Sequence, residues 1–119
     1  MTSKELSCLA AEVAAEKKAY DIVVVEVDTL LEVTDFFVIA TAANRVQAQA
    51  IVKAVEDALR DCGRKPMGRE GLEDGQWSLL DYGDFVIDIF LPEAREFYRL
   101  ENLWGDAPRV ETEATIKTD

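Results

Sequence analysis

From residue 6 onward, apolar side chains at Leu6, Leu9, Ala10, Val13 and Ala14 recur at the three-to-four spacing of an α-helix. Thr2 with Glu5 three residues on forms a capping-box signature before that stripe, and Lys17 and Lys18 suit the negative end of its dipole. The next stretch, 22–27, is β-branched and nearly continuous, which predicts a strand covered on both faces. After a connection over 28–34, residues 36–41 repeat the same pattern. Asn44 with Gln47 then caps a long helix whose apolar face is Ala48, Ile51, Val52, Val55, Leu59 and Cys62; Gly63 and Pro66 stop it. A short edge strand is predicted at 65–67 and a loop at 68–75. Strands at 77–80 and 85–90 flank Asp81-Tyr82-Gly83-Asp84, whose glycine supplies a left-handed turn position, so the pair reads as a hairpin. Pro92 suits the first turn of a last helix with Glu93 and Glu96 near its positive end, and Leu100, Leu103 and Trp104 continue its apolar spacing up to Gly105. The order α-β-β-α-β-β-β-α predicts an α+β domain over residues 1–106, a single mixed β-sheet with helices packed on it. Residues 107–119 lack periodicity and are expected to form a flexible tail.

At 119 residues and 49% hydrophobic, the chain fits one domain with enough apolar material for a core. Charge adds more. The net charge is −11 and there is no histidine. Without imidazole, Ser-His-Asp and Cys-His catalysis and histidine zinc sites are excluded. The acidity disfavours direct nucleic-acid binding and favours a basic partner. It is also localised: residues 70–106 hold ten acids and two bases, which is −8 of the −11. The same third of the chain carries Trp77, Tyr82, Phe85, Tyr98 and Trp104. One account is a solvated acidic face over aromatic core; the other is a docking surface with acidic steering and aromatic anchors. Alternation sends Trp77, Leu79 and Asp81 to one face of the hairpin and Ser78, Leu80 and Tyr82 to the other. Both faces are partly apolar, so one invites a cover from outside the domain.

Candidate chemistry is sparse. Asp81 with Asp84, or Glu70 with Glu73, are carboxylate pairs of the type that binds magnesium, but turn chemistry explains them as well. There is no G-x-x-x-x-G-K-[ST], G-x-G-x-x-G or G-x-S-x-G sequence, hence no phosphate cradle or nucleophile elbow. No enzyme activity, metal or cofactor is expected. Cys8 and Cys62 are expected as small buried hydrophobes rather than a disulfide, consistent with a reducing cytoplasm. The N-terminus lacks the apolar run of a signal peptide, and apolar runs fall far short of the about 20 residues that span a bilayer. A cytoplasmic location is expected.

Several segments together resemble the ribosomal silencing factor (Iojap-like) family. They are Asp21-Ile22-Val23-Val24, Thr34-Asp35-Phe36-Phe37-Val38-Ile39-Ala40-Thr41, the helix start from Asn44-Arg45 to Ile51, Glu70-Gly71 and Trp77-Ser78-Leu79-Leu80-Asp81-Tyr82-Gly83-Asp84. The closing run from Arg95 to Trp104 is similar to that family's R-x-x-Y-x-L-E-x-L-W. The resemblance implies a nucleotidyltransferase-like core without the catalytic motif; this chain has no Gly-Ser dipeptide. It also implies a translational repressor that binds the large ribosomal subunit through the ribosomal protein uL-fourteen and blocks association with the small subunit. Charge map and resemblance together make Trp77, Leu79, Tyr82 and Phe85 the expected apolar contacts, and Glu70, Asp81, Asp84 and Asp88 the acidic ones. Asp88 stands where many members have histidine, which changes charge and donor pattern. Two alternatives stay open: a nucleotide-binding or nucleotidyltransferase-like protein, and an acidic mimic binding another basic protein. Homodimerisation through an edge strand or the hairpin also stays open.

Overall fold

The computed structural model describes residues 1–27, 34–99, 102 and 107–115. Thr2 caps α1 (Ser3–Glu16) with the reciprocal hydrogen bonds to Glu5 that its sequence predicts. β1 (Tyr20–Glu26) and β2 (Phe36–Thr41) follow, then α2 (Arg45–Asp61), whose N-cap Asn44 accepts from the Gln47 N–H at 2.9 Å. β3 (Gly68–Glu70), β4 (Trp77–Asp81), β5 (Phe85–Phe90) and α3 (Pro92–Tyr98) complete the order.

The five strands form one mixed sheet in the order β1-β2-β5-β4-β3. β2 and β5 pair in parallel, because α2 and the β3–β4 arm lie between them in sequence; the other neighbours are antiparallel. All six residues of β2, and all six of β5, are buried. That is why both strands read as apolar runs rather than as an alternation.

The sheet has two covered faces. On the first, Leu6, Ala10 and Ala14 of α1 and Ile51, Val55 and Leu59 of α2 pack on Val38, Leu80, Tyr82, Phe85, Ile87 and Ile89. Each large side chain buried there contributes about 1.5–3 kcal/mol of transfer free energy. On the second face, Val25, Phe37, Ile39, Val86 and Phe90 form a smaller cluster with Ala94 of α3, and Trp77 and Leu79 lean on it half-buried. The registers line up one row across all five strands of this outer face: Val23, Ile39, Asp88, Leu79 and Glu70.

Four expectations are corrected. The edge strand is Gly68–Glu70 rather than 65–67, because Pro66 has no N–H to give and pairing begins only where Met67 donates to the Asp81 carbonyl at 2.6 Å. The last helix ends at Tyr98, with Arg99 in a left-handed conformation; Leu100, Leu103, Trp104, Gly105 and Asp106 lie outside the described residues, as does most of the 28–34 connection. The flexible tail predicted from residue 107 is docked over 107–115. Glu26 donates to the Pro108 carbonyl at 2.8 Å, Val110 donates to the Val24 carbonyl at 2.9 Å, and Arg109 bridges Val25. This segment covers the outer edge of β1 through backbone groups, a pairing that leaves little side-chain periodicity. Finally, Cys62 caps the C-terminus of α2 and is exposed, whereas Cys8 is half-buried; both are free thiols. Among the described residues, no helix is long and apolar enough to cross a membrane.

Candidate functional surface

The outer face carries a ladder of aromatic rings. Trp77, the first residue of β4, lies opposite Phe90 and stacks on it with centroids 4.9 Å apart and planes 29° apart. Tyr98, at the end of α3, covers Trp77 at 4.7 Å. Phe97 meets Tyr98 edge-on at 5.0 Å. Burial falls along the ladder: Phe90 is in the core, Trp77 is half-buried, Tyr98 is 50% exposed and Phe97 is 80% exposed. Offset and edge-on aromatic pairs are each worth about 0.5–1.5 kcal/mol beyond their area. The ladder is therefore held rigidly at its base and open at its tip. Leu79, two residues along β4 from Trp77, carries the same face onward, with exposed Glu70 beside it and half-exposed Asp81 after it.

The expected contact residues divide by strand parity and by depth. Trp77, Leu79, Asp81 and Glu70 share the outer face. Tyr82 and Phe85, expected as surface contacts, are 2% and 0% exposed; they stack on each other at 4.8 Å within the helix-covered core. The alternation along β4 already separates Tyr82 from Trp77, and Phe85 opens a strand buried on both sides. Burial raises the Tyr82 phenol to about 12, and its hydroxyl has no hydrogen-bond partner among the described residues.

Asp84 turns away from the outer face. Its carboxylate takes Arg64 Nη2 at 2.5 Å and Ser3 Oγ at 2.5 Å, and the Arg64 hydrogen bond holds it below the usual carboxylate range. Arg64 also donates to the Tyr82 carbonyl and sits 5.4 Å from the centre of the Phe85 ring, so Asp84 ties the hairpin tip to both helices' ends. Asp81 accepts from the Gly83 N–H at 2.8 Å, the turn-forming contact of an Asx residue.

Asp88 departs most from expectation. Anticipated as a surface acid, it is 0% exposed in the middle of β5, flanked by Ile39 and Leu79. One carboxylate oxygen accepts from Trp77 Nε1 at 2.8 Å and the other, equally buried, has no partner among the described residues. Burial pushes its carboxyl up to about 7 against the smaller lowering from the indole bond. A charge in a strand reads as solvent-facing from sequence; here the strand is central, so both its faces are interior.

Phe97 and Tyr98 were not among the expected contacts. The signal lay in the closing motif, which includes Tyr98, but the helix there is short and buries Ala94 alone. Gly71 supports the surface from behind: its φ is +74°, and a Cβ there would collide with the Trp77 carbonyl. Among the described residues, no cluster of three or more acidic or thiol side chains is arranged to hold a metal.

A family profile described as "Ribosomal silencing factor during starvation" matches residues 1–119. "Ribosomal silencing factor RsfS" of Halalkalibacterium halodurans is 36% identical, over 98% of this chain and 99% of its own length. "Mitochondrial assembly of ribosomal large subunit protein 1" of Mus musculus is 34% identical over 75% of this chain and 40% of its own. A crystal structure of a Chromobacterium violaceum protein superposes with a TM-score of 0.84 at 33% identity, covering 96% of both chains.

Proposed function

The chain belongs to the ribosomal silencing factor family, and from that premise we propose that it represses translation by docking its outer sheet face on a basic protein of the large ribosomal subunit, uL-fourteen, so that the small subunit is excluded. Membership makes it a ribosome-associated translation regulator. The relative named for assembly of the ribosomal large subunit supports the choice of subunit. The observation that carries the reading is the aromatic ladder on the outer face, Trp77, Tyr98 and Phe97, bordered by Glu70 and Asp81. Rigid aromatics at the centre with acids at the rim are the composition of an interface that recognises a basic partner. Tyr82, Phe85 and Asp84 serve this surface from below, by fixing the hairpin.

A subunit-joining assay followed by light scattering tests the reading. Saturating protein is expected to suppress joining; joining that proceeds unchanged defeats the proposal. Trp77→Ala, which removes the central ring, is expected to cost about 2 kcal/mol or more of binding, roughly a 30-fold weaker Kd for large subunits.

A further inference from the structure

Asp88 is an expensive residue to place where it is. A carboxyl group set between Ile39 and Leu79 receives one hydrogen bond and, among the described residues, leaves its second oxygen unsatisfied. A leucine would fill the same position without that desolvation cost, so stability does not account for an acid there. Among the described residues its one partner is the indole of the half-buried tryptophan at the base of the aromatic ladder.

The stacking contacts and the hydrogen bond constrain different motions of that ring. Phe90 at 4.9 Å and Tyr98 at 4.7 Å hold the plane of Trp77. Stacking tolerates sliding and a flip of the ring within its slot, because both faces of an indole offer similar π surface. The Nε1–H is a single directional donor. At 2.8 Å from Asp88 it selects one of the two flipped orientations.

We infer that Asp88 is a positioning residue for partner binding: it locks the Trp77 indole in one orientation, so that the ladder meets its partner already ordered. The inference rests on the reading of Trp77 as a binding anchor. Ordering one large side chain in advance is worth about three- to tenfold in affinity. Asparagine keeps an acceptor oxygen at this position, and leucine keeps the volume but removes the acceptor.

The test uses the full chain with Trp104→Phe, which leaves Trp77 as the sole tryptophan. In ¹H–¹⁵N spectra the Trp77 Nε1–H of this parent is expected as one sharp resonance protected from solvent exchange. Asp88→Asn is expected to keep that protection and to bind isolated large subunits within about twofold of the parent. Asp88→Leu is expected to lose the protection and bind about three- to tenfold more weakly while its backbone amide spectrum stays folded. A parent indole that exchanges as freely as an exposed one overturns the inference without any Asp88 variant. So does an Asp88→Leu protein that binds like the parent while Trp77→Ala is impaired, a result that spares the docking reading. Trp77→Ala that binds large subunits normally overturns the docking reading and with it the binding role of Asp88, whatever the indole resonance shows.

Discussion

Stability as a function of pH is the sharpest check on the interior of the outer face. Asp88 is a carboxyl group raised to about 7 by burial, against an unfolded-state value of about 3.9. Between those limits the native protein binds the proton and the unfolded chain does not, so stability falls as pH rises through that window. Below about pH 4 both states are protonated and the difference vanishes. A shift of about 3 units at about 1.4 kcal/mol each amounts to about 4 kcal/mol in total, of which about 3 kcal/mol falls between pH 4.5 and 8. Among the described residues, the other charged or titratable groups toward this face include Glu70, Asp81, Arg95, Glu96, Arg99 and Tyr98, with Asp21, Arg109 and Glu111 at the β1 edge. All remain in an Asp88→Asn protein, so their contributions cancel in the comparison. Urea denaturation at pH 4.5 and pH 8 is the assay. The parent is expected to lose about 3 kcal/mol more than Asp88→Asn over that range, and the two curves to converge toward pH 4. Parallel profiles, agreeing within about 0.5 kcal/mol at both pH values, would refute the assignment of Asp88 as a buried group that ionises at a cost.

Other consequences are more local. Asp84 has the opposite sign: its depressed carboxyl contributes stability that is complete above its unfolded value of about 3.9 and lost as pH falls further. Asp84→Ala should cost about 1–2 kcal/mol at pH 7 in urea melts, since its pair with Arg64 is a third exposed; no measurable loss would count against the tie between hairpin and helices. Gly71→Ala combines a left-handed backbone with a collision at the Trp77 carbonyl, and is expected to cost about 3 kcal/mol and lower the melting temperature by roughly 10 °C. An unchanged melt would show that the loop has room to shift. Cys62 is exposed, whereas burial and Glu12 push the half-buried Cys8 thiol up. A thiol reagent should therefore modify one equivalent quickly and the second slowly, with two equal fast phases as the contrary result.

Local rules made much of the fold legible. The reciprocal Thr2–Glu5 bonds, the Asn44 cap and the left-handed Gly83 turn all occur where the residue types demanded them. So do the helix-facing stripe of α2 and the hairpin of β4 and β5. Each depends on residues within a few positions of one another, where spacing alone carries the physics. The candidate surface was half legible for the same reason. Trp77, Leu79 and Asp81 alternate onto one face by the strand period, and Glu70 joins them by the register of β3. Tyr82, expected as a contact, lies on the opposite face by the same period, and that face is the one the helices cover.

Periodicity and charge, read from the sequence alone, determined the elements, their order and the acidic third of the chain, and the resemblance of its motifs pointed to the family. Which strand became central, and therefore what each face meets, was decided only in three dimensions. The parallel pairing of β2 with β5 puts Asp88 and Phe85 inside. The return of residues 107–115 along β1 turns an expected tail into an edge cover. The reach of α3 over Trp77 builds the aromatic ladder. All three are contacts between residues far apart in the chain, and burial is a property of what lies across the contact. An aspartate in a strand carries the same formal charge in either setting. Only its neighbours decide whether it is a solvated acid or a buried acceptor beneath a tryptophan.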